Sequence, residues 1–344
     1  MEYIEGQPVE TLPAFAEGAM NLADIGLGTE VVAVSDQFFA PAERMISADL
    51  PRFYPDRYDD HGKWMDGWES RRKRGVGHDW CVLRLGVAGY IHGFDIDTSF
   101  FTGNYPPGAS IEACYLPESD PDDSTEWTML AGPVTLGPSQ HHLVAAQIPA
   151  DKQDSAWTHV RLNILPDGGV ARLVVYGSPS AELKEGDELN LAARELGARV
   201  VSWNDSHYGH PNKILMPTKG INMGDGWETR RRREPGNDWC LIELAAPGYI
   251  DEIVIDTAFF KGNFPDKCSL QAACMGKVGD EALVTQSMFW QELLSPQPLS
   301  ADAEHKFVPD AGLQGPVTHL RLNIFPDGGI SRVRVHGRVA AENS

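Results

Sequence analysis

The sequence is short of the features that mark several large protein classes. Its five cysteines, Cys81, Cys114, Cys240, Cys268 and Cys274, are odd in number, and none stands in a Cys-x-x-Cys pair. That spacing argues against a disulfide framework and leaves no paired-cysteine zinc site. Reduced thiols in a cytoplasmic protein are the simplest reading. No stretch approaches the ~20 apolar residues of a membrane span. The opening MEYIEGQPVETLPAFAEG has no basic start followed by an apolar core, so no secretory signal is expected. Positive charge is also scarce. Against 49 Asp and Glu stand 29 Lys and Arg, a net charge of −20, so neither a nucleic acid nor an anionic membrane is expected as a partner. Gly-x-Ser-x-Gly, His-Glu-x-x-His, a P-loop and a supported Gly-x-Gly-x-x-Gly are all missing, which leaves a covalent serine or cysteine mechanism without support.

What is present is a duplication. Residues 67–85, GWESRRKRGVGHDWCVLRL, match residues 226–244, GWETRRRREPGNDWCLIEL, at 11 of 19 positions. THVRLNILPDGGV at 158–170 matches THLRLNIFPDGGI at 318–330 at 10 of 13. YIHGFDIDTSFFTGNYP at 90–106 pairs with YIDEIVIDTAFFKGNFP at 249–265, and the first copy carries about ten extra residues within PAERMISADLPRFYPDRYDDHGK. A unit of about 150 residues is long enough to hold its own core. The expected division is an extension at 1–19, a first repeat at 20–178, a linker at 179–188, a second repeat at 189–338 and a tail at 339–344.

Within each copy the strand signals dominate. VVAVS, WCVLRLG, YIHGFDIDT, SIEACYL, HVRLNIL and VARLVVYG are short, β-branched or alternating, and bounded by Gly, Pro or Asp. The Pro-Asp-Gly-Gly tetrapeptides at 166–169 and 326–329 read as turns needing positive φ. With 34 glycines and 24 prolines, the chain reads as all-β: two tandem β-sandwiches of jelly-roll topology. Weak helical patterns fall at 10–23 and 186–196.

Four polar constellations recur in the two copies. Asp66-Gly67-Trp68-Glu69-Ser70-Arg71-Arg72-Lys73-Arg74 is echoed at 225–233. In an extended chain Glu69, Arg71 and Lys73 share one face. Arginine forks there could bind a carboxylate, or the run could be a solvated edge with Glu–Arg pairing. His78-Asp79-Trp80 stands against Asn237-Asp238-Trp239: an acid–base histidine oriented by Asp, or a loop cap. His159, Arg161 and Asn163, at spacing two, share a sheet face with a pocket or a satisfied polar network. Phe100-Phe101-Thr102-Gly103-Asn104-Tyr105-Pro106 is a tight loop, either functional or an aromatic plug. In the second copy, His207 and His210 near Asp205 form a weak metal pattern, and His141-His142 a weaker one.

The combination SDQFFA, DGWESRR, GHDW, DTSFFTGNYP and RLNILPDGG, with its second set, closely resembles the allantoicase family over about residues 20–337. That resemblance implies two repeats of galactose-binding-like, jelly-roll type and hydrolysis of allantoate to ureidoglycolate and urea. It makes allantoate the small-molecule partner. The second copy departs from the pattern, with NDSHYG for SDQFFA and FFKGN for FFTGN. For such a substrate, Arg71, Arg72 and Arg161 are candidates for a carboxylate clamp. Glu69, Asp79 and His78 are candidates for proton transfer, and Asn104 and Asn163 for ureido recognition. No cofactor is evident and the metal requirement is open, with a divalent ion weakly supported. A homo-oligomer is expected, because sandwiches expose strand edges. Two other readings fit the same residues: a hydrolase of a related ureide such as ureidoglycolate, and a non-catalytic pair of sugar-binding modules.

Overall fold

The computed structural model describes residues 2–276, 279–312 and 315–341, apart from the Glu281 side chain. It divides into two compact units, Met1–Ala181 and Glu182–Ser344. Each unit is a β-sandwich, so the all-β tandem architecture expected from the sequence is what the chain adopts.

Each unit is organised around one 19-residue strand, Asp79–Asp97 in the first and Asp238–Asp256 in the second. The sequence reads these as two strands apiece, because Gly86 and Gly89 interrupt the apolar pattern. The structure joins them. The first half of Asp79–Asp97 pairs with Trp157–Leu165 and Glu30–Val34; the second half pairs with Arg172–Pro179 and Leu143–Ala145. Gly89 lies opposite both Trp157 and Pro179, at the changeover. One continuous strand therefore serves both layers, as strands do at sandwich corners. The chain then extends outward through Gly108–Cys114 to Thr128–Thr135. The second unit repeats this order through Val317–Phe325, Lys267–Ala273 and Gln291–Pro298.

Alternation places the core. Along Trp157–Leu165, Val160, Leu162 and Ile164 are fully buried among Leu83, Ile111 and Leu130, while His159, Arg161 and Asn163 face the other way. The second unit matches with Leu320, Leu322 and Ile324 inside. The helical expectations at 10–23 and 186–196 are not met. The first is turns ending in the short strand Met20–Asn21, and the second holds strand Glu188–Asn190 and a one-turn 3-10 helix, Arg194–Leu196. The one α-helix among the described residues, Asp280–Ser287, falls where no helical pattern was read. Four of the five cysteines are buried and Cys274 is exposed; all are free thiols. Among the described residues no helix is long and apolar enough to cross a membrane.

Candidate active site

The Asp-Gly-Trp-Glu motif is a packing device that ends in a carboxylate. Arg172 is nearly buried and binds Asp66 Oδ2 at 2.9 Å while donating to Asp66 O at 3.0 Å. A Cβ on Gly67 would lie 2.4 Å from Val170 O, so only glycine allows that approach. Trp68 is fully buried and donates through Nε1 to Asp36 O at 2.8 Å. Glu69, next in line, turns the other way, as alternation requires. The second copy repeats each contact: Arg332 on Asp225 at 2.6 Å, Gly226 against Ile330 O, and Trp227 on Asp205 O at 2.9 Å.

Glu69 is half-buried at one end of the sandwich, its backbone bridged to Ala40 and paired with Gly169. Asn104 Nδ2 donates to its Oε1 at 2.7 Å. Burial pushes the Glu69 carboxyl above the ordinary carboxylate range, against the lowering effect of that hydrogen bond. The 100–106 loop contains the aromatic plug the sequence allowed. Phe101 is the plug, fully buried and lying where a Cβ on Gly169 would fall 2.0 Å from its ring. Asn104 is the polar group the plug positions, and its carbonyl accepts from Gly169 N at 2.7 Å. Phe100 enters this turn at φ +69°, an uncommon conformation for an aromatic residue. In the second copy Asn263 donates to Glu228 in the same way.

The basic run is not the alternating strand expected. Regular pairing stops at Glu69, and each following residue is held separately. Arg71 is fixed on Asp36, with Nε to Oδ2 at 2.7 Å and its backbone N to Oδ1 at 2.8 Å. Burial raises the Asp36 carboxyl, but these hydrogen bonds outweigh it and hold the group below the usual value. Lys73 Nζ reaches Asp79 Oδ1 at 2.7 Å. Arg72 is exposed and has no partner among the described residues. Of the three arginines assigned to a clamp, Arg71 and Arg161 already hold carboxylates, which leaves Arg72.

Asp79, expected to move protons, is 2% exposed and is held by Lys73 and by the Ser35 hydroxyl at 3.0 Å. Asp238 repeats this with Arg232 at 2.7 Å and Asn204 at 2.8 Å. A buried ion pair present in both copies ties the basic loop to the long strand, with both Lys73 and Ser35 on Asp79 Oδ1.

His78, Arg161 and Asn163 form a second group on the coreless face of the sheet. His78 Nε2 lies 3.2 Å from Asn163 Oδ1. Asn163 Nδ2 donates to Glu112 Oε2 at 2.9 Å, and Arg161 binds the same oxygen at 2.6 Å and stacks on Trp127 at 4.4 Å. His159 is not part of this group: it is fully buried and bonded to Thr158 and Asp120. Sequence reasoning missed Glu112. Its signal was alternation, since Ser110 and Glu112 stand two apart on a strand whose partner in the second copy has Ser269 and Gln271. The exchange removes the charge: Arg321 meets Asn323 Oδ1 at 3.0 Å and Ser287 at 2.7 Å.

The second-copy histidines do not assemble a metal site. His210 Nδ1 accepts from Asn212 N at 3.1 Å and caps the helix Pro211–Leu215, and Asp205 is engaged by Arg230 at 2.7 Å. His141 and His142 part company too, onto Asp95 and Ile96 O. No three His, Cys, Asp or Glu side chains converge among the described residues.

The relatives of the chain carry this frame under one name. The allantoicase repeat matches residues 20–180 and again residues 189–340. A probable allantoicase of Rhizobium meliloti is 52% identical over 341 residues, covering 97% of this chain and 98% of the relative. A probable allantoicase 2 of Burkholderia pseudomallei is 53% identical, covering 95% and 97%. The crystal structure of allantoicase from Saccharomyces cerevisiae superposes with a TM-score of 0.77 at 34% identity, covering 93% of each chain. With both copies matched and the whole length shared, the chain belongs to the allantoicase family.

Proposed function

We propose that this protein hydrolyses allantoate to ureidoglycolate and urea, with the proton chemistry at Glu69 of the first copy. Family membership supports the reaction; the half-buried Glu69 carboxyl, held by Asn104 and kept prone to protonation by burial, is the observation that carries the site.

Allantoate has one carbon bearing a carboxylate and two ureido groups. Protonated Glu69 gives its proton to the nitrogen of the departing arm. The lone pair of the other ureido nitrogen forms a C=N bond to the central carbon, the C–N bond to the first arm breaks, and neutral urea leaves. Ionised Glu69 then takes a proton from water as the water oxygen adds to that carbon, which yields ureidoglycolate and restores the acid. One carboxyl serves both halves, a contribution of ~10²–10⁴-fold. Asn104 uses an N–H on Glu69 and keeps its carbonyl oxygen to accept from a ureido NH₂. Arg72, unpaired among the described residues, grips the substrate carboxylate. His78, one hydrogen bond from Asn163, is the second proton-transfer candidate. Protonation makes urea a good leaving group, so this route asks for no metal. The partner is a small molecule, and a cytoplasmic homo-oligomer is the setting we assign.

The test is urea release from allantoate and from ureidoglycolate, side by side, with and without exhaustive chelation. Release from allantoate alone, unaffected by chelator, is expected. No release from allantoate overturns the assignment. Glu69→Gln and His78→Gln then separate the two candidates: the true acid loses kcat.

A further inference from the structure

The extra residues of the first copy build a support whose tip rests on Phe38, next to the two residues that bond the Glu69 backbone. Tyr58 pairs with Lys63 and Asp59 with Gly62, a hairpin whose two-residue tip is Asp60-His61. Gly62 takes the positive φ of +126° and Asp59 Oδ1 accepts from His61 N at 3.0 Å, both expected of a tight turn. Its base is braced. Trp64 N donates to Arg57 O at 3.1 Å, Arg57 stacks on Trp64 at 3.8 Å and Arg44 at 4.6 Å, and Lys63 Nζ donates to Tyr54 O at 2.8 Å.

The braced tip sets the His61 ring edge-on to Phe38, with centroids 4.5 Å apart. Arg71 lies over the same Phe38 ring at 5.1 Å while bonded to Asp36. Phe39 and Ala40, the next residues, donate their backbone N–H groups to Glu69 O, each at 3.2 Å. The imidazole is exposed, and among the described residues neither ring nitrogen has a protein partner. A hydrogen-bonding ring is thus held in place while no described residue uses its nitrogens.

The second copy supplies an independent observation. It has no hairpin, yet His207 stands two residues after Asp205, where Phe38 stands after Asp36. Against burial, which raises it, Asp205 is held low by Arg230 and also by the nearby His207. An imidazole thus lies near the Asp–Arg pair in the second copy and, in the first, against the Phe38 ring that Arg71 also covers, from unrelated backbone. What the two share is the ring, not the support.

We propose that His61 is a substrate-contacting residue of the first site and hydrogen-bonds the ureido arm that stays on the carbon. This rests on the Glu69 end being the site.

The experiment compares wild type, His61→Ala and His61→Gln in allantoate kinetics. It also follows the His61 ring resonance by NMR on addition of N-carbamoylglycine, which has one ureido arm and the carboxylate but no second nitrogen to drive cleavage. Loss of one hydrogen bond is expected to raise KM roughly three- to tenfold for His61→Ala with kcat little changed, and His61→Gln to recover most of it. The resonance is expected to shift with saturation. Equal KM defects in both variants would trace the effect to hairpin packing on Phe38 and overturn the proposal, as would unchanged kinetics with an unmoved resonance. If wild type releases no urea, the reaction assignment fails by itself and the resonance alone decides His61: movement supports contact, and no movement ends it.

Discussion

The first copy's motif run sets two acids in different surroundings: Glu69 half-buried beside Asn104, and Asp79 2% exposed beside Lys73. Glu69 is raised by burial; Asp79 is locked to Lys73. Their conservative variants should therefore fail differently. Glu69→Gln is expected to lower kcat by ~10²–10⁴-fold. Because the folded-state value is raised, the ionised form of Glu69 is disfavoured in the native protein. Its contribution to stability is greatest below the ordinary carboxylate value and is lost as pH rises through the raised one. At neutral pH, Glu69→Gln should thus leave Tm unchanged or higher, as calorimetry would show. Asp79→Asn should do the reverse. It loses charge-assisted hydrogen bonds, at a cost of about 1–3 kcal/mol, while kcat per folded molecule is kept. A denaturant titration beside the kinetics distinguishes them. The two acids were legible as residue types; the partner each one holds was not. Asp79 and Glu69 stand ten apart in sequence, and only the positions of Lys73 and Asn104 separate their fates.

At the scale of elements, the motifs turn out to be contacts between segments. Gly169 reads as a turn residue, but its need is steric: Phe101 occupies the space a side chain would fill. Gly67→Ala and Gly169→Ala are both expected to lower stability without touching a polar group, and Trp68→Ala to cost ~3–5 kcal/mol by cavity formation. A second device belongs to the first copy alone. His141 bridges Asp95 at 2.6 Å and the carbonyl of Gln7 at 2.9 Å, and so fastens the N-terminal segment. The hydrogen bond to Asp95 raises its pKa to about 9 from 6.5, against the effect of burial. The stabilisation is complete below about 6.5 and is lost as pH rises through about 9. Limited proteolysis should therefore release residues 2–19 at pH 10 but not at pH 7, and His141→Ala should permit release at both. That segment pairs Ile4–Glu5 with Arg52–Phe53, in the same insert that carries the His61 hairpin.

For the whole molecule, charge is the governing fact. A chain at −20 repels an anion, yet the run Arg71–Arg74 concentrates positive charge next to Glu69 in sequence. Arg72 and Arg74 are exposed and unpaired among the described residues, so their fields reach solvent. Attraction between exposed charges is screened beyond ~8 Å at physiological ionic strength. We expect kcat/KM for allantoate to fall with added salt while kcat holds. Arg74→Gln should flatten that dependence, and Arg72→Gln should raise KM as well. Stopped-time urea assays across a salt series check both.

Composition, the duplicated segments and the alternation of apolar residues determined by themselves that this is a tandem β-sandwich protein with family-specific motifs, because strand burial has a period of two that a linear text preserves. The tertiary structure alone decided which charged groups were already satisfied. Arg71, Arg161 and Asp79 meet Asp36, Glu112 and Lys73 across strand and loop contacts, and no local pattern records a partner that arrives from elsewhere in the chain. It also decided that a ten-residue insertion, unreadable as sequence, sets an imidazole against Phe38, since where a hairpin tip comes to rest depends on what braces its base.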